Sequence, residues 1–245
     1  MTRRIFASII SGFALILTTM AQTEFTTCLY DSARNRPIPV AVYQPARSTE
    51  NAKVIIFNHG YDGNKNSQSN KTYSCLTRPL SRKGYYVISI QHELPNDPLL
   101  AMEGDFMKTR MPNWERGVEN ILFTINEFKK LKPELDWDNL SLLGHSNGGD
   151  MTMLFATLHP DIITKAISLD HRHMMIPRIM KPRLYTLRGS DYDADKGVIP
   201  TTEEQEKFHI IVIQLNDINH SDMGDKGREE QHQIMLNHIC NFLNH

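Results

Sequence analysis

"LSLLGHSNGGDMTMLF", residues 140–155, joins a short apolar run to a segment of helical pattern through a serine that lies between two glycines. The first five residues predict a buried strand, and residues 148–159 predict a helix. Gly144 and Gly148 relieve crowding where a strand and a helix come close, and such a sharp turn holds a serine oxygen clear of a sheet. We therefore interpret Ser146 as a nucleophile. The alternative is that the glycines mark only a tight turn.

Similar apolar runs alternate with helical patterns along the rest of the chain. Five of them are rich in β-branched residues, which is typical of strands buried on both faces, and one alternates like a half-buried strand. The predicted strands cover residues 37–45, 54–58, 85–90, 140–144, 166–170, 184–189 and 210–215. Three helices are predicted besides the one after Ser146. The first carries an apolar stripe from Trp114 to Phe128, the second begins at a capping box of Thr201 and Glu204, and the third covers residues 234–243. This alternation predicts an α/β fold, with a mostly parallel central sheet and helices on both faces, in a single domain over residues 22–245.

The first 21 residues differ from the rest of the chain. Arg3 and Arg4 precede an apolar stretch from Ile5 to about Met20, and a small residue follows. This is the pattern of a secretory signal peptide, and the stretch is shorter than the roughly 20 residues of a membrane-spanning helix. We expect cleavage after Ala21, which leaves a secreted or periplasmic chain without a membrane span. The alternative is an uncleaved anchor.

Composition excludes some classes of partner. The chain has 245 residues, of which 40% are hydrophobic and 22% charged, and a formal net charge of -1. There is therefore no basic field of the kind that attracts nucleic acid or an anionic membrane. Cys28, Cys75 and Cys240 match no zinc motif, and their odd number allows one disulfide and one thiol without a pairing that can be read from the sequence. We expect no metal and no cofactor.

A nucleophilic serine needs a base, and the base needs an acid that orients it. His220 follows the last predicted strand, where a loop can fold its imidazole over the strand ends, so we predict that His220 is the base. Asp170 and Asp191 come at the ends of two neighbouring predicted strands, and either can reach this histidine. One of the two aspartates is then left without a catalytic role. We expect that aspartate to form an ion pair with Arg172 or Arg188. Three other histidines are interpreted as capping or solvated loop residues: His159, His171 and His173.

Two backbone N–H groups are candidates for stabilising a negative oxygen during acyl transfer. One belongs to Asn147, directly after the serine. The other follows the strand at 54–58, where the His59-Gly60 step turns the chain and makes the N–H of Tyr61 a candidate donor. In these roles the amides of Asn147 and Tyr61 matter more than their side chains.

Two segments are less regular than the rest. Residues 60–71 are polar and rich in turn formers, and we expect an exposed loop. Residues 93–113 form a long connection with several apolar side chains, which predicts either a wall of the substrate pocket or surface decoration.

With Ser146, His220, two candidate acids and the His-Gly step in this order, the chain resembles the α/β-hydrolase superfamily from about residue 37 to its end. It looks most like the dienelactone-hydrolase-like esterases, a branch that includes platelet-activating-factor acetylhydrolases. The stretches that carry this resemblance are "NHGYDG", "GHSNGG", "ISLDHRHMMIP", "GSDY" and "NHSDMGD". The acetylhydrolases have their acid after the strand that matches "AISLD", which implies Asp170, whereas many other relatives use the next strand, which implies Asp191. We favour Asp170. Polar residues inserted after Tyr61 and the lack of extended membrane-docking regions set this chain apart from the acetylhydrolases.

The resemblance implies an exported serine hydrolase that cleaves a small-molecule carboxylic ester through an acyl-enzyme intermediate. An acyltransferase, a thioesterase or a peptidase would use the same triad, so the motifs do not separate these activities. A non-catalytic binding protein of the same fold is a further alternative. The presence of every triad member in the sequence speaks against it.

Overall fold

An eight-stranded sheet forms the centre of residues 23–46 and 48–245, which are the residues that this computed structural model describes. The strands are β1 (Thr23–Asp31), β2 (Arg36–Gln44), β3 (Lys53–Asn58), β4 (Tyr86–Ile90), β5 (Asp136–His145), β6 (Lys165–Leu169), β7 (Arg183–Arg188) and β8 (Ile211–Gln214). Their order across the sheet is β1-β2-β4-β3-β5-β6-β7-β8. The first two strands run antiparallel to their neighbours, and every pair from β4 to β8 is parallel. The predicted signal peptide at residues 1–21 lies outside the described residues.

Helices cover both faces of this sheet. They are α1 (Ser74–Arg82), α2 (Phe106–Thr109), α3 (Met111–Leu131), α4 (Asn147–Leu158), α5 (Thr202–Phe208) and α6 (Glu229–Asn244), with 3₁₀ turns at Ser69–Lys71 and His220–Met223. Trp114 of α3 and Phe155 of α4 belong to the apolar core on one face, and Leu76 of α1 and Ile239 of α6 belong to the core on the other. The apolar side chains between the sheet and the helices are buried away from water on both faces. This burial stabilises the packing of the helices against the sheet.

The parallel strands end at one edge of the sheet, and the following loops meet there. β3 ends at Asn58, β5 at His145, β6 at Leu169 and β7 at Arg188. In open α/β sheets this edge is where ligands bind. The predicted site residues all follow these strand ends or the end of β8.

The seven predicted strands are all present, each end within four residues of its expected position, and the Thr201–Glu204 capping box is confirmed. Three elements are absent from the sequence-based prediction: β1, α1 and the four-residue helix α2. Most residues of β1 are exposed, so its sequence lacks the alternation that marks a half-buried strand, and it forms through nine residue pairs with β2. α1 contains Pro79, which normally ends a helix.

The expectation of an exposed loop at residues 60–71 is wrong in part. The side chains of Asn64, Ser69 and Asn70 are buried, and the segment ends in a 3₁₀ turn. Asn70 donates a hydrogen bond from Nδ2 to the carbonyl of Ser89 at 3.3 Å, so this segment is tied to β4. In the connection at 93–113, Leu99 and Met102 are exposed while Leu100 is buried. Within the described part of the chain, no helix combines the length and apolar character needed to cross a membrane.

Candidate active site

Ser146 occupies the sharp turn between β5 and α4. Its backbone has φ 53° and ψ -124°, a strained combination for a residue with a side chain. A Cβ on Gly148 would lie 2.3 Å from the carbonyl oxygen of Asn58, and one on Gly144 would lie 2.3 Å from the carbonyl oxygen of Gly148. The glycines are therefore needed because the turn packs against β3 and against itself, and the serine side chain is held at the edge of the sheet.

Backbone hydrogen bonds extend the sheet beyond its strand ends and draw the predicted residues together. The N–H of Ser146 donates to the carbonyl of Leu169 at 2.9 Å, and the N–H of Asp170 donates to the carbonyl of Leu187 at 2.8 Å. One loop further, the N–H of Ser190 donates to the carbonyl of Ile218 at 2.9 Å. As a result, the loops that carry Ser146, Asp170 and His220 lie side by side.

The side chains of these three residues form a continuous hydrogen-bonded row. Nε2 of His220 lies 2.9 Å from Oγ of Ser146, and Nδ1 of His220 lies 2.6 Å from Oδ2 of Asp170. Because a carboxylate only accepts, the proton is on Nδ1, and Nε2 is free to accept the serine hydroxyl proton. Ser146 and His220 are half-buried, whereas Asp170 is fully buried. This arrangement can remove a proton from the serine as it attacks a carbonyl group.

The surroundings of Asp170 favour its ionised form. Burial raises the pKa of this carboxyl group, but three contacts outweigh burial and lower it overall. They are the hydrogen bond from His220, the charge of Arg188 and the N–H of Gly189, which donates to Oδ1 at 2.9 Å. Arg188 itself lies 3.1 Å from Oδ1. A buried, ionised carboxylate is what an adjacent imidazolium requires.

Asp191 contacts the same histidine in another way. Its Oδ1 accepts a hydrogen bond from the backbone N–H of His220 at 2.7 Å. The carboxylate of Asp191 therefore holds the main chain of the loop, while that of Asp170 meets the imidazole. The expected ion pair between the other aspartate and Arg172 or Arg188 is wrong, because Arg188 pairs with Asp170 and the guanidinium of Arg172 lies 3.9 Å from the ring centre of Tyr192.

Tyr61 and Asn147, which the sequence predicts to be the oxyanion donors, belong to two loops that meet at the serine. Asn147 is the first residue of α4, so its N–H has no partner within the helix. Tyr61 follows Gly60, whose Cβ position would be 3.3 Å from Cβ of Ser146. The loop that carries Tyr61 therefore passes close to the serine.

The side chains of both residues also matter, which the sequence-based analysis did not foresee. Oδ1 of Asn147 accepts from Nε1 of Trp114 at 2.8 Å, and its Nδ2 donates to Oδ1 of Asn113 at 2.9 Å and to Oε1 of Glu93 at 3.1 Å. The hydroxyl of Tyr61 accepts from the N–H of Leu100 at 3.0 Å. These bonds attach both residues to the segment 93–114, which fixes the direction of their amides.

An open cleft of about 670 Å³ leads to Ser146 and His220. It runs between residues 60–73 and residues 220–226, and among the described residues no aliphatic side chain lines it. Its charged lining residues are Asp62, Lys71, Asp225 and Lys226, two of each sign. Such a wall offers a ligand hydrogen bonds, charges and the aromatic rings of Tyr61 and Tyr73.

The remaining predictions concern histidines, metals and cysteines. His171 is fully buried and its Nε2 donates to the carbonyl of Met174 at 3.1 Å, so its interpretation as a solvated loop residue is wrong. His173 pairs with Asp195 at 2.8 Å, and His159 is the C-terminal cap of α4. Among residues 23–46 and 48–245, no group of three or more histidine, cysteine or acidic residues is arranged to hold a metal ion. All three cysteines are free thiols.

Sequence reasoning missed several residues around the serine. Tyr73, Glu93 and His145 are buried and hydrogen-bonded to the loops of the site. His145 lies directly before the serine, and this position is the only sequence signal for its role. Tyr73 and Glu93 lie far from the other site residues in the chain, so no spacing in the sequence marks them.

Neither a protein-family model nor the sequence of a curated protein matches the chain. Solved structures are similar at low sequence identity. A hyperthermophilic esterase from Pyrobaculum calidifontis is 12% identical with a TM-score of 0.65, over 90% of this chain and 82% of the esterase. A serine hydrolase without a lid from Xanthomonas campestris is 15% identical with a TM-score of 0.62, over 88% of this chain and 92% of that one.

An acylaminoacyl peptidase from Pyrococcus horikoshii is 16% identical with a TM-score of 0.55, over 91% of this chain. The chain spans only 41% of that peptidase's length. At these identities the similarity concerns the fold. Together with the strand order and directions, it shows that the chain has the α/β-hydrolase fold.

Proposed function

We propose that this chain is an exported serine hydrolase that cleaves carboxylic esters through an acyl-enzyme intermediate. The observation that carries the proposal is the row of side chains from Ser146 through His220 to Asp170, with contacts of 2.9 and 2.6 Å. The esterases and the peptidase of similar fold support a hydrolase in general. Export rests on the pattern of the first 21 residues.

In the first half of the reaction, Oγ of Ser146 attacks the ester carbonyl carbon while Nε2 of His220 takes the hydroxyl proton. Asp170 accepts the Nδ1–H throughout and stabilises the imidazolium that forms. The carbonyl oxygen becomes an oxyanion, which the N–H groups of Tyr61 and Asn147 bind. When the tetrahedral intermediate collapses, the bond to the alcohol oxygen breaks and His220 returns the proton to that oxygen.

In the second half, water replaces the serine as nucleophile. His220 takes a proton from water as the water oxygen attacks the acyl carbon, and the oxyanion forms between the same two amides. Collapse breaks the bond to Oγ of Ser146, which regains its proton from His220. The products are an alcohol and a carboxylic acid, so atoms and charges balance with water as the only co-reactant.

The walls of the cleft favour a polar substrate. Because the described lining residues include no aliphatic side chain, a long acyl chain that entered the cleft would pack against tyrosine rings and polar groups rather than against a hydrocarbon wall. The charges of Lys71 and Asp225 and the amide of Gln68 instead suit a substrate with hydroxyl or charged groups. We therefore propose short acyl groups on a polar alcohol as the substrate class, rather than the phospholipid esters of the acetylhydrolases that the sequence resembles.

The decisive experiment is the intact mass of the purified chain after exposure to a fluorophosphonate, with Ser146→Ala as the matched control. A single adduct on the wild type that is absent from the variant supports the nucleophile. The same two proteins are then compared on 4-nitrophenyl acetate and decanoate. Faster turnover of acetate, abolished in Ser146→Ala, supports the substrate class, whereas an unlabelled wild type or a variant with full activity contradicts the proposal.

Product analysis separates hydrolysis from acyl transfer at the same triad. If an added alcohol or amine captures the acyl group in preference to water, the chain is an acyltransferase. If only the free acid forms, the chain is a hydrolase. Trials with a thioester and an acyl-amino-acid amide test the thioesterase and peptidase alternatives.

A further inference from the structure

Two buried side chains link the two halves of the site outside the proposed triad. The N–H of Gly60 donates to the hydroxyl of Tyr73 at 3.0 Å, and this hydroxyl lies 2.7 Å from Nδ1 of His145. On its other side, Nε2 of His145 lies 3.1 Å from the backbone carbonyl of His220. The row runs from the loop of Tyr61 to the loop of the predicted base.

The direction of every hydrogen bond in this row is determined. A carbonyl oxygen only accepts, so His145 carries its proton on Nε2 and donates it to His220. Burial, followed by the nearby charge of His220, lowers the pKa of His145 to about 3, so the ring is neutral and Nδ1 accepts from the hydroxyl of Tyr73. Because the hydroxyl proton of Tyr73 goes to His145, the tyrosine oxygen acts as the acceptor for the N–H of Gly60.

The surrounding packing holds the row of Gly60, Tyr73 and His145 in place. Tyr73 and His145 are both more than nine-tenths buried. A Cβ on Gly60 would lie 2.9 Å from Nδ1 of His145 and 2.9 Å from the tyrosine oxygen, so only glycine allows the loop to approach this closely. The ring of His145 also lies 4.6 Å from the ring of His220, centre to centre.

His220 is held at four atoms by partners from three segments of the chain, since His145 and Ser146 are neighbours at the end of β5. Asp191 binds its N–H, Asp170 its Nδ1, Ser146 its Nε2 and His145 its carbonyl oxygen. Of these four contacts, that of His145 continues through Tyr73 to Gly60, the residue before Tyr61.

We propose that Tyr73 and His145 are positioning residues that couple the loop of the oxyanion donor Tyr61 to the loop of the base His220. The proposal rests on the proposed function and concerns the same site. Acyl transfer needs the base and the oxyanion donors in place at the same moment, and small displacements are costly in rate. The row fixes the distance between these two groups through atoms that never touch the substrate.

The test compares Tyr73→Phe with Tyr185→Phe. Tyr185 is also fully buried, and its hydroxyl has no hydrogen-bond partner among the described residues, so its removal controls for the loss of a buried hydroxyl group. We expect Tyr73→Phe to be labelled by a fluorophosphonate to the same final extent as the wild type, but about tenfold more slowly. Its kcat on 4-nitrophenyl acetate should fall by a similar factor with KM within twofold, and Tyr185→Phe should match the wild type in both measurements.

A double-variant cycle adds a readout that general structural damage does not produce. Because Tyr73 acts through His145, the rate of Tyr73→Phe/His145→Gln should lie within about threefold of the slower single variant, whereas independent losses would multiply. If the rate losses of the two single variants multiply in the double variant, the proposed coupling of Tyr73 and His145 is wrong. If His145→Gln does not fold, the comparison of Tyr73→Phe with Tyr185→Phe decides alone.

The outcomes distinguish this inference from the function on which it rests. A wild type that forms no adduct contradicts both. An adduct on Ser146 that forms equally fast in the wild type and Tyr73→Phe keeps the hydrolase and overturns the positioning role. A slower but complete reaction confined to Tyr73→Phe supports both.

Discussion

Arg188 lies 3.1 Å from Oδ1 of Asp170, the carboxylate oxygen that faces away from His220. The aspartate is fully buried and the arginine is nearly so. A second nitrogen of Arg188 donates to the carbonyl of His171 at 2.6 Å, which holds the guanidinium in place. The carboxylate of Asp170 therefore contacts His220 with one oxygen and the guanidinium of Arg188 with the other.

Replacing Arg188 should destabilise the protein in a pH-dependent way. Arg188→Met leaves the Asp170 carboxylate buried without its cation, which we expect to cost about 3 kcal/mol in the free energy of unfolding at pH 7. The pKa of Asp170 is lowered in the folded chain, so its contribution is present above the unfolded value near 4 and is lost as the pH falls through the folded value. Urea unfolding should therefore show a difference between the variant and the wild type that shrinks as the pH falls below about 4. A difference that grows on acidification would be evidence against this role.

The two aspartates near His220 should differ in their effects on reactivity. Asp170→Asn removes the charge beside the imidazole and favours the wrong tautomer, so we expect kcat to fall by about 10⁴. Asp191→Asn keeps a side-chain oxygen that can accept from the backbone of His220, so its loss should stay below about tenfold. Rates of fluorophosphonate labelling measure both. A larger loss in Asp191→Asn would assign the acid to Asp191, and equal losses would contradict the difference in roles.

Gly148→Ala should disable the site rather than only weaken the fold. The added methyl group would lie 2.3 Å from the carbonyl oxygen of Asn58 and 2.4 Å from that of His59, so strand and helix must separate at a cost of about 1–3 kcal/mol. Since Tyr61 follows these residues, labelling of the folded protein should slow sharply. Gly84→Ala is the control, because its Cβ would meet nothing within 4 Å and only its φ of 101° is strained. We expect that variant to lose stability while its folded fraction reacts normally.

Glu93→Gln should gain stability relative to the wild type as the pH rises. Burial raises the pKa of Glu93, and the opposing charge of His59 offsets this only in part. When folding raises the pKa of a carboxyl group, the protein loses stability as the pH rises from the unfolded-state pKa, near 4.3, to the folded-state pKa. Glutamine has no such proton to lose, so the variant escapes this loss. Its amide oxygen can still accept from Asn147 and Asn113, so activity should be retained. Unfolding measured between pH 5 and pH 8 checks this, and a constant difference would contradict it.

Much of the architecture was predictable from local patterns. The apolar runs at β3 to β8 and the glycines around Ser146 each carry their signal within about ten residues, because a buried strand and a tight turn depend on nearby side chains. The strand β1 and the helix α1 gave no such signal: most residues of β1 are exposed, and α1 contains a proline.

The partners of the site residues were decided by the tertiary structure. Asp170 and Asp191 follow neighbouring strands and look equivalent in the sequence, yet one meets the imidazole of His220 and the other meets its backbone. The difference depends on turns whose side-chain directions are set by contacts between distant segments.

The sequence by itself determined the alternation of strands and helices, the turn at Ser146 and the set of residues that we propose for acyl transfer. The tertiary structure decided which aspartate faces the histidine, that Arg188 pairs with that aspartate, and that Tyr73 and His145 join the two halves of the site. The physical reason is the separation along the chain over which each kind of interaction acts. Hydrophobic periodicity and glycine turns act over a few residues, whereas a buried hydrogen bond or ion pair joins residues that are tens of positions apart and meet only when the sheet has formed.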